Sequence, residues 1–235
     1  MYLCDISDIV YENMKGGTGV EALVELFKNF PFLLLGAWET LKLTAFSVGI
    51  GLILGTFIGM GRLSKMKLIN YPCTAYVEFL RGTPLLVQIS LIYFGLPQLG
   101  IQLAPYPAAI LALGMNSGAY IAEIVRAGIQ SIPKGQYEAG RSLGLTHWQS
   151  MQHIILPQAF RNILPALGNE FITLTKDSSL ASVIGVSELM RGGQFVISRT
   201  FQTFSIYFGI AFIYFIMTFV ISRFVRYIER RMATA

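Results

Sequence analysis

Charge is what this sequence has least of. Only 13% of its 235 residues are Asp, Glu, Lys or Arg, where a soluble domain carries roughly 25%. With 54% apolar residues and a mean hydropathy of +0.57, the deficit excludes an ordinary soluble globule and points to a membrane protein. Cysteine is nearly absent. Cys4 and Cys73 are expected on opposite sides of the membrane, which excludes a disulfide between them, and two cysteines without partners make a poor metal site. His147 and His153 are six residues apart, on different faces of a helix, with no carboxylate nearby to orient them, and read as surface histidines. No GxxxxGK[ST] phosphate loop occurs, so the chain does not itself bind ATP in that way. GxSxG and HExxH are missing as well. Residues 1–30 carry Asp5, Asp8, Glu12, Glu21 and Glu25 against Lys15 and Lys28, unlike a cleavable signal peptide, which begins basic and turns apolar early. No repeat and no low-complexity segment divides the chain, so one membrane domain is expected.

What is present is a series of apolar runs separated by basic clusters. Residues 20–30 are helix-amphipathic, with Val20, Leu23, Val24, Phe27 and Phe30 on one stripe, and suit an interfacial helix in an outer-side segment 1–30. The first span is expected over 41–60. Its Gly51, Gly55 and Gly59 form a small-residue face for another helix, and Arg62, Lys65 and Lys67 follow at the cytoplasmic end. Residues 71–80 read as a helical lead-in, Arg81-Gly82-Thr83-Pro84 as a bend, and 84–99 as a short apolar run; Glu78 and Arg81 are spaced to pair. Residues 106–125 return inward, with Glu123, Arg126 and Lys134 at the inner end. Residues 163–185 form an irregular span, 187–204 an outer loop, and 205–222 a last span before Arg223, Arg226, Arg230 and Arg231. The expected fold is all-α and integral to the membrane: a domain over 31–230 with about five transmembrane helices, N-terminus outside and C-terminus cytoplasmic. The net charge of +5 reflects this inner-face bias rather than nucleic acid.

One polar stretch, 131–157, lies between these runs. Ser131 and Pro133 can open a helix and Gly144 can end it in the left-handed conformation. Thr146 and Gln149 stand at capping-box spacing, so a second short helix should follow and run to Pro157, where a missing N–H favours a helix start or break.

Glu138-Ala139, Gly144 and Ile154-Ile155-Leu156-Pro157 resemble the EAA motif of binding-protein-dependent ABC importer permeases, Glu-Ala-Ala-x3-Gly-x9-Ile-x-Leu-Pro. Gly140 replaces the second Ala, a loss of ~1 kcal/mol of helix propensity. The stretches 36–44, 78–97, 156–172 and 176–189 resemble the branch for polar amino acids, so the likeness covers roughly residues 30–230. It implies the type I importer permease architecture, with five spans and a cytoplasmic coupling-helix loop. It also implies a dimer with the same or a homologous permease, an ATP-binding subunit that holds ATP and Mg while this chain holds no cofactor, an extracytoplasmic solute-binding protein, and a bacterial plasma membrane. Glu138, Ala139, Gly140, Leu143 and Gly144 would form the ATPase contact.

For the solute path the candidates are Glu170, Thr173 and Asp177, at i, i+3 and i+7 on one face, with Asn169 and Lys176 flanking. A carboxylate there would meet the ammonium or cationic side chain of an amino acid. The alternative, preferred for Lys176, Asp177 and Ser178, is that they hold the irregular segment together, Ser178 and Ser179 capping a broken helix. Glu170 tilts the substrate toward a cationic amino acid, with glutamine, glutamate and cystine also compatible. Two rivals are an ion-gradient-driven transporter or channel, which leaves the helix pair at 131–157 without a use, and a membrane scaffold, which has no need of polar groups at depth.

Overall fold

The computed structural model describes residues 19–233, and all of its regular elements are helical. The first, α1 (Gly19–Arg62), is a single helix of 44 residues, about 66 Å long at 1.5 Å per residue against a hydrocarbon core of about 30 Å. The amphipathic stretch and the first span are therefore one rod, not two elements meeting near residue 30. Pro31 lies inside it. Leu26 and Phe30 before the proline, and Leu33 and Ala37 after it, belong to one apolar cluster with Ile206 and Ile210. Packing is thus continuous across the proline. Leu23, Val24 and Phe27 are exposed. Residues 1–18, including Cys4, lie outside the described residues.

The tightest seam joins α1 to α4 (Pro105–Gln130). A Cβ on Gly51 would lie 3.0 Å from Ser117 Oγ, one on Gly55 2.7 Å from the Gly118 carbonyl oxygen and 2.6 Å from Ile121 Cβ, and one on Gly59 2.8 Å from the Ala122 carbonyl oxygen. The small-residue stripe is filled as its spacing predicts, and the order of these contacts makes the helices parallel. At their common end Glu123 is ion-paired to Arg62 and Arg126, with Arg81 at 3.9 Å. Arg81 also lies over the Tyr120 ring at 5.2 Å. The expected Glu78–Arg81 pair is not formed, because Arg81 turns toward α4 instead.

Between these parallel helices the chain must cross back. It does so through α2 (Lys67–Gly82) and α3 (Leu85–Ser90), bent by 106° at Thr83-Pro84. Pro84 has no N–H to return to the Leu80 carbonyl, which a bilayer cannot solvate. Gln88 Nε2 donates to that carbonyl at 2.8 Å and to Thr83 Oγ1 at 2.9 Å. Asn116 Nδ2 of α4 donates to Gln88 Oε1 at 2.9 Å and to the Leu80 carbonyl at 3.4 Å. A π-helical turn (Leu91–Gly95) and a 3₁₀ turn (Leu96–Leu99) complete the crossing.

After α4 come α5 (Lys134–Ser142), α6 (His147–Ser150), a second π turn (Met151–Ile155) and α7 (Leu156–Asp177). A 3₁₀ turn (Ser178–Ile184) leads to α8 (Leu189–Thr200) and α9 (Thr203–Ala233). Residues 187–204, expected as a loop, are mostly the helix α8. Its N-terminus is capped by the fully buried Glu188, which accepts from the Met190 and Arg191 amides at 2.9 and 2.8 Å and from the Tyr214 hydroxyl at 2.9 Å. Thr40 Oγ1 of α1 accepts from the Leu189 amide at 3.1 Å. Burial pushes the Glu188 carboxyl above its usual range.

Among the described residues α1, α4 and α9 are each long and apolar enough to cross a membrane, and the two limbs of the bent pair meet the same measure only when taken together as one span. The fifth expected span is α7, whose 22 residues suffice in length but whose polar face keeps it below that apolarity.

Gly55→Leu is expected to force α1 from α4 and lower the Tm of the detergent-purified protein, an overpacking cost of roughly 1–3 kcal/mol. Gly49→Leu, at a position where a Cβ meets nothing within 4 Å, leaves Tm unchanged; equal shifts would remove the seam from the account.

Candidate functional site

Two surfaces bring polar groups together: the hairpin of α5 and α6, and one side of α7. The hairpin is built by its caps. Leu143 ends α5, Gly144 takes the left-handed conformation at φ +84°, and the Leu145 amide returns to the Gly140 carbonyl at 3.1 Å. Thr146 and Gln149 then form the reciprocal capping box, at 3.3 and 2.9 Å. Tyr137 on α5 and His147 on α6 close the pair, hydroxyl to Nδ1 at 3.0 Å. Ser131 does not open α5. It ends α4, where its hydroxyl donates to the Gly128 carbonyl and accepts from Asn162 Nδ2 of α7 at 2.9 Å, and Pro133 takes the N-cap position. Pro157 lies in the first turn of α7, a helix start rather than a break. The π turn passes straight into α7, with Leu156 N–H donating to the Met151 carbonyl, so α6 and α7 are one irregular rod.

The EAA-like residues divide between two faces. Glu138 and Ala139 are exposed, and Leu143 is 81% exposed. Gly140 is buried, and a Cβ there would lie 2.7 Å from Ile154 Cδ1 and 3.0 Å from Ser150 Oγ. The glycine that replaces the usual alanine therefore faces the hairpin's own second arm, not its outer surface. Trp148, which the motif does not flag, is 68% exposed beside the turn; a tryptophan in a polar stretch was the available signal.

On α7 the four path candidates separate. Asn169 and Thr173 are exposed, Asp177 is half-buried, and Glu170 is buried beside Ser117 of α4. Their i, i+3, i+7 spacing puts them within one stripe, yet the stripe straddles the edge of the packed face. The exposed polar line on α7 is Asn162, Asn169, Thr173 and Lys176. Among the described residues Lys176 and Asp177, expected to tie the segment together, close no ion pair, although the two neighbouring charges attract, and Ser178 caps by donating to the Thr175 carbonyl at 2.8 Å. Among the described residues no group of three His, Cys, Asp or Glu side chains forms a metal site.

The model of the binding-protein-dependent transport system inner membrane components matches residues 48–234. The chain belongs to that family. The permease is 44% identical over 204 residues to the L-cystine transport system permease protein TcyB of Bacillus subtilis, covering 86% of this chain and 87% of that one. It is 42% identical over 209 residues to the glutamine transport system permease protein GlnP of Escherichia coli K12, covering 88% and 95%. Among solved structures it is similar to an amino acid ABC transporter with histidines, at 47% identity and TM-score 0.86 over 88% of this chain and 97% of that chain. The MetNI methionine ABC transporter, at 23% identity and TM-score 0.71, shares the fold. The chain is thus a multi-pass membrane permease of an ABC importer and not an enzyme, ATP hydrolysis residing in a separate subunit.

Gly140→Ala is expected to leave the hairpin closed, since the Ile154 methyl can turn aside. Gly140→Leu should pry α5 from Ser150 and Ile154. Limited trypsin cleavage after Lys134 and Arg141 reports this, with faster cutting in the leucine variant only.

Proposed function

We propose that the permease passes a polar amino acid from an external solute-binding protein across the membrane, driven by an ATPase seated on the α5–α6 hairpin. The single observation that carries this reading is the hairpin itself: a doubly capped helix pair between two membrane helices that presents Glu138, Ala139 and Leu143 outward. Glu138 offers a carboxylate to a cationic or N–H partner, Ala139 permits close backbone approach, and Leu143 is an exposed apolar side chain that docking would remove from water. Gly140 and Gly144 act inside the hairpin, holding its shape. ATP and Mg belong to the ATPase subunit. Closure of two such subunits would push the hairpin, and the Ser131–Asn162 bond would pass that push to α4 and α7 together.

The relatives named for cystine and glutamine, with an arginine transport permease of Bacillus subtilis at 40% identity, support an amino acid as cargo. A second permease subunit, identical or homologous, would cover the polar line on α7, because polar side chains are costly against lipid. Asn169, Thr173 and Asp177 then line the path, and Glu170, buried against α4, holds α7 in place. The basic residues Arg62, Arg126, Lys134 and Arg141 cluster where α1 and α4 end together, which supports a cytoplasmic hairpin, an outer N-terminus and a cytoplasmic C-terminus.

The test is uptake of the 20 L-amino acids and L-cystine into proteoliposomes holding the complete importer. Leu143→Asp, at an exposed position, is expected to cut ATPase co-purification and ATP-driven uptake at least about tenfold, because it forces an unpaired carboxylate into the contact. Undiminished uptake would remove the hairpin from coupling. In the same assay Glu170→Gln should retain the order of preference among amino acids; a changed order would make Glu170 a substrate ligand.

A further inference from the structure

At the outer end of α7 the exposed polar line finishes on Lys176, and Lys176 opens onto a groove of about 500 Å³. The groove is lined by the polar side chains Lys176, Ser179, Tyr207 and Thr218 and by apolar groups that include Met190 and Phe215. Its wall is fixed, because Tyr214 of α9, also in the lining, donates to the buried cap Glu188 at 2.9 Å. Among the described residues Lys176 forms no ion pair. Asp177 is the adjacent carboxylate, but it lies one residue on, about 100° around the helix. Arg191, the basic residue nearest in sequence to Met190, is turned to Gln194 and the Phe195 ring. A cation in the last turn of a helix meets favourable carbonyl ends, which accounts for a lysine at this position. It does not account for the groove beside it, apolar with a few hydroxyls, nor for an ammonium that feels the neighbouring Asp177 carboxylate but closes no ion pair with it among the described residues.

We propose that Lys176 receives the α-carboxylate of the transported amino acid at the outer end of the path, with Ser179 and Tyr207 as hydroxyl donors and the Met190–Phe215 side of the groove against the solute's side chain. This inference rests on the amino acid reading of the preceding subsection. The chemistry follows from the groups present: an ammonium and hydroxyls recognise an anionic oxygen pair through charge-assisted hydrogen bonds, while an apolar wall accepts side chains of differing shape. A site at this position reads the part common to all amino acids, so it sets the class of solute and leaves the choice among amino acids to other contacts.

The complete permease–ATPase complex, held in phosphatidylcholine nanodiscs so that no anionic lipid competes, is probed by saturation-transfer NMR without the solute-binding protein. The probes are L-glutamine, L-arginine and L-cystine, each beside its α-carboxamide, and the uptake panel identifies which amino acid is carried. For that amino acid the α-carboxamide is expected to bind about tenfold more weakly than the acid, the loss of one hydrogen bond to a charged group. Lys176→Gln brings the acid down to the level of the amide without changing the amide, and Lys176→Arg restores most of the difference. Equal binding of acid and amide by the unmodified complex overturns the proposal, as does a Lys176→Gln variant that weakens both alike or neither. If Lys176→Gln does not assemble, the acid-against-amide comparison on the unmodified complex decides alone. Uptake of amino acids with no acid–amide difference sinks only this inference, whereas no uptake of any amino acid sinks the reading beneath it as well.

Discussion

A bilayer interior offers no water to an unpaired backbone group, and the architecture depends on how each such group is matched. The sharpest case is the Leu80 carbonyl. Pro84 removes its partner and allows the 106° bend that sends the chain back between two parallel helices. Gln88 and Asn116 then supply the missing donors. The bend and its repair come from different elements, so α2, α3 and α4 are held as one unit. The buried Glu188 does similar work elsewhere, joining α1, α8 and α9 through Thr40, its own N-cap bonds and Tyr214.

This makes the membrane part stiff where the hairpin attaches. Gly51, Gly55 and Gly59 lock α1 to α4 along several turns, Glu123 clamps their common end to Arg62 and Arg126, and Ser131 ties the end of α4 to Asn162 of α7. A force on α5 reaches two spans at once. The hairpin's outer face carries Glu138 among exposed basic and amide side chains such as Lys134, Arg141 and Gln149, and its shape is set from within by Gly140, Gly144 and the capping box.

Features set by neighbours in sequence were legible without coordinates. The capping box, the left-handed Gly144, the bend at Thr83-Pro84 and the glycine stripe each follow from a few adjacent residues. What escaped depends on residues far apart in the chain. Gln88 looks like any polar residue in an apolar run until the Leu80 carbonyl is seen to lack a donor. Gly140 sits in a motif whose neighbours face outward, and only the fold of the π turn brings Ile154 and Ser150 against it. Arg81 has Glu78 at the right spacing and still turns to Glu123 and Tyr120. Residues 20–30 and 41–60 read as separate elements, but apolar contacts on both sides of Pro31 carry α1 through. The path candidates share a stripe by arithmetic, yet Glu170 is covered by α4 while Asn169 and Thr173 are not.

Both π turns lie directly before a Leu-Pro pair, Leu96-Pro97 and Leu156-Pro157. A widened turn eases the clash of a proline ring with the carbonyl four residues back, and it does so by holding one residue more than a regular turn. In the second case that surplus lies between the hairpin and α7. Removing one residue from 151–155 would restore a regular helix and shorten it only slightly, but it would rotate everything beyond by about 100°, swinging Glu138 and Leu143 away from their present direction. The separation between Glu138 and Pro157 is therefore a phase as much as a length, and insertions or deletions there are felt as a change of aim.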